Sequence, residues 1–227
     1  IKTVYLEFHL KQKVALKIKV TFSPEDERIL DGQSKILNWT YNHLLEIALK
    51  LRDQFIETGD KQARNTLYSE RGLRNLLPKI KKEHLFLKSV HSSPVKNAAL
   101  RLSGSIRDRQ KSKKGTRKGK VTGFPRFRSV KKKWFSLLYD EPNKGFKVSR
   151  DFLRLSLGVD EEGKRRRLSG RLEKPLKCFN IGRVLNLRVV KQHGQFYAVF
   201  GVEKEVPDKK KIKKAIALDP NHKNLSY

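Results

Sequence analysis

The chain has 227 residues, with 53 Lys or Arg against 23 Asp or Glu, and its formal net charge of +30 favours a polyanionic partner, most often a nucleic acid. It contains no run of about 18 apolar residues and no signal-peptide core, so no segment is expected to span or target a membrane. Cys178 is the only cysteine, which excludes an internal disulfide and a CxxC zinc site, and we expect it to be buried.

The first twenty residues alternate between apolar and polar side chains. Residues 1–10 and 13–20 each fit a strand, with a hairpin turn at Lys11-Gln12. The core-facing side of the second strand is expected to carry Val14, Leu16, Ile18 and Val20. Its wet side is expected to carry Lys13, Lys17 and Lys19.

A helical pattern follows these strands. Ser23 is expected to be its N-cap and Pro24 its first helical residue. Gly32 weakens the early part, so we expect the helix to become stable only near Ser34. The tripeptide at 58–60 (TGD) is expected to end it and to cap the next helix. Two aromatic residues in its middle are assigned to the packing core rather than to a ligand site: Trp39 and Tyr41.

The helical pattern of residues 60–83 is weaker, because Gly72 and Pro78 interrupt it. Ser93-Pro94 predicts a clearer restart, in the same way as Ser23-Pro24. The apolar stripe of this later helix is Val95, Ala98, Ala99, Leu102 and Ile106. Off the stripe are Lys96, Asn97, Arg101 and Arg107. The sequence therefore predicts about 90 helical residues between two β regions.

Residues 109–133 contain twelve Lys or Arg and no acid, and charges this dense repel one another unless an anion neutralises them. Residues 111–120, which offer nothing to bury, fit both a solvated linker and a polyanion-binding segment. Residues 123–128 (GFPRFR) alternate aromatic and arginine side chains. We expect the aromatic residues to anchor on the core while the arginines reach phosphates or stack on bases. These residues are Phe124, Phe127, Arg126 and Arg128.

The β pattern returns after the basic stretch. Short strands are predicted at residues 134–139, 145–148 and 151–157. Residues 161–163 (EEG) read as a turn, followed by a basic run at 164–167. A second hairpin is predicted from residues 182–191 and 195–203, with its turn at His193-Gly194 and with Leu185, Leu187 and Val189 facing Phe196, Ala198 and Phe200. The simplest closure of these strand edges is a β-barrel built from residues 1–20 and 134–203.

Asp219 is the one candidate catalytic residue. It follows a short apolar strand at residues 215–218, and a carboxylate at a strand end is well placed to hold a divalent metal. Asp219-Pro220-Asn221 is equally good turn chemistry. A two-metal site needs further carboxylates, and the chain offers no second acid in a similar context. Nucleophilic catalysis has no supporting motif.

Several segments, taken together and in order, resemble the TnpB family of transposon-encoded RNA-guided DNA endonucleases, the relatives of compact type V CRISPR effectors. The most specific is GFPRFR followed by lysines, and the next is the second hairpin with ALDPNHKNL. The matching segments are residues 37–49, 85–101, 123–128, 184–207 and 217–225.

The resemblance implies an α+β fold, in which a wedge-type β-barrel is interrupted by a helical recognition lobe and followed by the first strand of a RuvC-like domain. The implied divisions are residues 1–22 and 113–207 for the barrel with its basic loop, 23–112 for the lobe, and 208–227 for the start of the nuclease domain. Pro220 and Asn221 stand where the family has an aliphatic residue and Gly, which hints at a CRISPR-type branch.

The resemblance also implies site residues and partners. Asp219 matches the first RuvC catalytic carboxylate, a Mg²⁺ ligand whose partners, like the family's zinc ribbon, lie further downstream. The binding partners that the resemblance implies are a guide RNA and double-stranded DNA with a short flanking motif, and no membrane is among them. Tyr68 and Lys96 match positions near that motif. The wider nucleic-acid-binding set adds Asn97, Arg101, Arg126, Arg128, Lys131, Lys132 and Lys133.

A full-length RNA-guided endonuclease in the bacterial or archaeal cytoplasm, near the nucleoid, is therefore the leading hypothesis. The chain lacks Met and opens at Ile1, so we expect trimmed ends and a segment that binds RNA without cutting DNA by itself. Two alternatives stay open. One is a nuclease-inactive RNA-guided DNA binder of the same family, and the other is a non-enzymatic basic RNA-binding scaffold protein.

Overall fold

The computed structural model of the protein describes residues 11–129, 132 and 134–205. It combines helices with a curled antiparallel half-barrel sheet, which confirms the α+β class. The described strands are β1 (Lys11–Thr21), β2 (Ser136–Tyr139), β3 (Phe146–Ser149), β4 (Phe152–Val159), β5 (Arg165–Leu172), β6 (Arg183–Gln192) and β7 (Gln195–Glu205). They are ordered β2-β6-β7-β1-β5-β4-β3, so β2 and β3 are the edges of the described sheet.

The first described strand differs from the expected hairpin. The turn predicted at Lys11-Gln12 is wrong, because both residues are in β1, where Lys11 pairs with Glu205 and Gln12 with Lys204 of β7. A long cross-strand ladder with β7 overrides a dipeptide that has no strong turn former. The predicted strand at residues 1–10 lies outside the described residues. The alternation in β1 is confirmed, since Ile18 and Val20 are buried while Lys13 and Lys17 are exposed.

A helical block separates β1 from β2, as predicted. Its helices are α1 (Pro24–Thr58), α2 (Lys61–Tyr68), α3 (Gly72–Asn75), α4 (Leu77–Glu83) and α5 (Ser92–Lys113). A 3₁₀ turn, Leu85–Ser89, joins α4 to α5, and a second, Leu176–Phe179, joins β5 to β6. Cys178 is exposed on this second turn, so its predicted burial is wrong; the neighbouring Leu176 occupies the buried position instead.

Both ends of α1 form as the sequence predicts. The Ser23 hydroxyl accepts a hydrogen bond from the Asp26 amide (3.1 Å), and Gly59 adopts a left-handed φ of 70° at the C-terminus. The predicted late onset near Ser34 is wrong, because the helix is continuous through Gly32. One glycine costs about 1 kcal/mol, which the N-cap and the complete burial of Leu30 outweigh.

The short helices α2 to α4 follow the predicted interruptions. A Cβ on Gly72 would lie 1.9 Å from the carbonyl oxygen of Thr66, so only glycine allows the chain to fold back between α2 and α3. Pro78 lies in the first turn of α4, where its missing N–H is not needed. Asp60 caps α2 by accepting hydrogen bonds from the amides of Gln62 and Ala63.

Helix α5 begins earlier than predicted, and its cap is His91 rather than Ser93. His91 Nδ1 accepts a hydrogen bond from the Ser93 amide (3.2 Å), and burial lowers the pKa of His91, which keeps this nitrogen free to accept. Ser93 is buried and already lies inside the first turn of the helix, so it is not the N-cap residue. The predicted apolar stripe of α5 is buried along its whole length.

The second β region is confirmed with one addition. Strand β5 begins within the predicted basic run at 164–167 and continues beyond it. Its first three arginines are exposed, whereas Leu168 and Leu172 further along are buried. The β6–β7 hairpin turns at His193 (φ 49°) and Gly194 (φ 77°), a type I′ turn. Two of its predicted pairs form, Leu187 with Phe200 and Val189 with Ala198, whereas Leu185 lies at a register shift and is half-buried.

One continuous apolar core joins the sheet to the helical block. Polar contacts reinforce the junction. Lys191 of β6 forms an ion pair with Asp31 of α1 (2.8 Å), and Gln33 Nε2 donates to the carbonyl oxygen of Ser89 (3.0 Å). No helix in residues 11–129 or 134–205 is both long and apolar enough to cross a membrane.

Candidate nucleic-acid interface

The basic segment, which we define as residues 114–129, follows α5, runs back along helix α1 and is held there through its backbone. Asn42 Nδ2 donates to the carbonyl oxygen of Arg128 (3.0 Å), while the Arg128 amide donates to Asn42 Oδ1 (2.8 Å). One side chain therefore satisfies both backbone groups of Arg128, as a neighbouring β-strand would. This contact fixes the position of a segment that forms no regular secondary structure.

Two more α1 residues, one and two helical turns earlier, extend this contact. Ser34 Oγ (2.6 Å) and Asn38 Nδ2 (2.8 Å) both donate to the carbonyl oxygen of Trp134. Ser34, Asn38 and Asn42 are spaced by four residues and therefore share one face of the helix. We call these three residues the polar ladder. Sequence reasoning missed it, although three short polar residues at four-residue spacing were a signal that could have revealed it.

The side chain of Arg128 is half-buried against the same helix. Its Nη1 donates to Asn38 Oδ1 (3.1 Å), and its guanidinium carbon lies 3.8 Å from the centre of the Tyr41 ring and 5.7 Å from that of Trp134. Tyr41 is thus a core residue, as predicted, and one face of its ring is in contact with the Arg128 cation. Arg126 is exposed instead and is free of any such enclosure.

The two phenylalanines of GFPRFR behave differently from each other. Phe124 packs against the core as predicted, with the Arg52 guanidinium carbon 5.1 Å from its ring centre. Phe127 is 56% exposed, so its predicted docking is wrong. Because Asn42 holds the backbone at Arg128, a second aromatic anchor is unnecessary, and Phe127 faces solvent beside Arg126.

The glycine- and lysine-rich part of the basic stretch is more ordered than expected. Helix α5 extends to Lys113, and the buried Ser112 hydroxyl accepts a hydrogen bond from the Thr122 amide (3.0 Å). Thr116 bonds back to the carbonyl oxygen of Lys111 (3.1 Å). The prediction that nothing is buried here is wrong at Ser112, which anchors the loop. The loop lysines, which we define as Lys113, Lys114, Lys118 and Lys120, are all exposed.

The candidate residues on the helical block lie in separate places. Lys96 is 23% exposed and forms an ion pair with Glu141 (3.0 Å), with Asp140 at 3.9 Å. Asn97 is half-buried beside it on α5. Tyr68 lines a shallow pocket of about 370 Å³ with Gln110, which is about 21 Å along α5 from Lys96. The structure therefore does not bring Tyr68 and Lys96 together.

The remaining predicted site residues contribute less to the interface. Lys132 is exposed. Lys131, Lys133 and Asp219 lie outside the described residues, so the metal site rests on the sequence alone. In the described part of the chain, no cluster of three or more His, Cys, Asp or Glu side chains could hold a metal ion.

A second basic surface, not anticipated from the sequence, lies on the wet face of the sheet. Two shallow grooves of about 600 and 400 Å³ share Lys19 and Glu173 as walls. Their cations outnumber their acids by six to two, and one of the acids, Asp151, is paired with Arg171 (3.0 Å). The cationic residues are Lys17, Lys19, Arg150, Arg171, Lys174 and Lys177.

Replacing Asn42 with Ala is expected to lower the free energy of unfolding by about 2 kcal/mol, because the half-buried Arg128 backbone loses both partners. Urea unfolding measures this loss, and faster amide exchange at residues 127–129 localises it. Asn97→Ala is the matched control, since Asn97 is also half-buried on a helix but makes no side-chain hydrogen bond with the rest of residues 11–129 and 134–205. Equal losses in the two variants would contradict the anchoring role of Asn42.

The comparisons with known proteins leave the family open: no protein-family model matches the chain, and no curated protein does either.

Proposed function

We propose that this chain is the RNA- and DNA-binding part of an RNA-guided DNA endonuclease of the TnpB type. The observation that carries the proposal is the basic segment fixed by its backbone on the polar ladder of α1. Preorganised cations lose less conformational freedom on binding a phosphate backbone than those of a free tail would. A solvated linker would not need Asn42 to hold both backbone groups of Arg128.

The chemistry of this surface suits a phosphate backbone rather than base readout. Arg126, Lys132 and the loop lysines are exposed and present point charges or forks to phosphates. Such contacts position a nucleic acid without reading its sequence. In RNA-guided enzymes, pairing between guide and target supplies that specificity, and the protein reads only a short flanking motif.

The other proposed roles follow from the resemblance and keep the same residues. Tyr68, Lys96 and Asn97 are proposed to face the flanking DNA motif. Lys96 would then exchange its ion pair with Glu141 for a phosphate or a base edge. Lys131 and Lys133 would extend the RNA contact of Lys132, and Asp219 would be one ligand of a Mg²⁺ site in the full-length protein.

The deciding experiment isolates the full-length protein with the RNA that co-purifies with it and sequences that RNA. We expect one discrete RNA species. Duplex DNA complementary to its guide segment, with randomised flanking bases, is expected to bind only when a particular flanking motif is present. Heterogeneous RNA together with DNA binding that ignores the guide would overturn the proposal in favour of a basic RNA-binding scaffold.

Two variants sharpen this experiment. Arg126→Ala is expected to weaken RNA binding several-fold, whereas Arg28→Ala, which removes an exposed arginine near the start of α1, is the control. Asp219→Ala in the full-length protein separates nuclease from binder, since it should abolish magnesium-dependent cleavage and leave guided binding intact. Guided binding without cleavage by the wild type would identify the nuclease-inactive relative.

A further inference from the structure

Three arginines from different parts of the chain lie near one another: Arg128 and Arg101 are both close to Tyr41, and Arg188 is close to Arg101. Arg128 lies over the ring, and Arg101 of α5 donates from Nη1 to Ser136 Oγ on β2 (3.3 Å). In the pairing of β2 with β6, Ser136 is opposite Val190 and Leu138 is opposite Arg188, so Ser136 and Arg188 share one face of the sheet. All three arginine residues are half-buried.

These three cations repel one another, and no carboxylate of the described residues is paired with any of them. Burial and the nearby charge of Arg101 lower the pKa of Arg128 to about 10, and burial together with Arg188 lowers the pKa of Arg101. A guanidinium stays charged at neutral pH even so. In the described part of the chain, none of the three side chains forms an ion pair with a carboxylate, and none makes a side-chain contact beyond those given above.

Two other half-buried cations, Lys96 and Lys191, are neutralised. Lys96 faces Glu141, and Lys191 faces Asp31, each within 3.0 Å. The arginine cluster differs from these two in holding three cations together without an acid. Like charges held together in a partly desolvated place raise the free energy of the folded chain, and a bound anion offsets that cost.

We propose that Arg101, Arg128 and Arg188 form a preformed site for one phosphate group, supplied by a nucleic-acid backbone. Asn38 and the Tyr41 ring orient Arg128, which leaves its other N–H groups for the ligand. Ser136 orients Arg101 in the same way. The assignment of the phosphate to RNA or DNA rests on the proposed function, whereas the anion site itself does not.

Thermal unfolding tests the site with inorganic phosphate as the probe, compared with chloride at equal ionic strength. At ten times its dissociation constant, phosphate is expected to raise the melting temperature of the wild type by about 3 to 6 °C. Arg188→Gln should lose this response, and in chloride it should melt no lower than the wild type, because a repulsive charge is gone. Arg188→Lys should keep part of the response, since it keeps the charge but loses the fork.

Arg183→Gln is the matched control, because it removes an equal charge from an exposed position on the same strand. It should keep the full phosphate response. If phosphate has no effect on the wild type, or if Arg183→Gln and Arg188→Gln lose equal amounts of stabilisation, the site is overturned.

Binding of a labelled 20-nucleotide single-stranded RNA distinguishes the two sources of phosphate. If the cluster binds the backbone, Arg188→Gln should reduce the log–log salt slope by about 0.7, the contribution of one phosphate, and Arg183→Gln should not. A phosphate response with an unchanged RNA slope would support the anion site and overturn its assignment to a backbone. Neither result depends on guided DNA binding, so failure of the proposed function would be seen separately.

Discussion

Raising the KCl concentration from about 50 to 200 mM is expected to weaken binding of a 20-nucleotide single-stranded RNA by roughly 300-fold. Each neutralised phosphate of a single strand contributes a log–log slope of about −0.7, so about six contacts give a slope near −4. A net charge of +30 and the exposed cations of the basic segment make six contacts a modest requirement. Fluorescence anisotropy with labelled RNA at several salt concentrations measures the slope.

The loop lysines decide whether residues 111–120 bind RNA or only link two elements. If they bind, changing all four to Gln should flatten the slope by about 3. The matched control changes four other exposed lysines of the helical block: Lys50, Lys61, Lys79 and Lys82. It should alter the slope far less. An affinity that stays constant from low to physiological salt would contradict binding through phosphates altogether.

Gly158→Ala is expected to destabilise the fold by about 3 kcal/mol or more. A Cβ at this position of β4 would lie 1.8 Å from the carbonyl oxygen of Lys88 and 2.4 Å from the carbonyl carbon of Ser89. Both atoms belong to the backbone of the 3₁₀ turn between α4 and α5, so no side-chain rotation relieves the clash, and either the strand or the turn must shift. Urea unfolding at constant pH measures the loss.

Gly32→Ala is the control for that experiment. A Cβ at Gly32 in α1 meets nothing within 4 Å, so this variant should be more stable by about 1 kcal/mol. Opposite signs for the two variants would support the close packing of the helical block on β4. Similar small effects would instead mean that the turn does not rest on the sheet at Gly158.

Local signals in the sequence determined much of the secondary structure. Ser23 and Pro24 start α1 because an N-cap and a fixed φ act within one turn, and His193-Gly194 turns the β6–β7 hairpin because both positions accept positive φ. The alternation in β1 likewise predicts its buried face. The net charge and GFPRFR also identified the nucleic-acid hypothesis and the basic segment on which it rests.

Only the tertiary structure decided how that segment is held. Asn42 and Arg128 are 86 positions apart, and Ser34 and Trp134 are 100 apart, so their contacts depend on how α1 lies against the returning chain. The exposure of Phe127 and the choice of His91 as a cap were decided in the same way. In the sequence, Arg188 is one cation of a predicted strand, and it comes close to Arg101 only because β6 pairs with β2 beside α5. Patterns of period two or 3.6 report which face is buried, but not which buried faces meet.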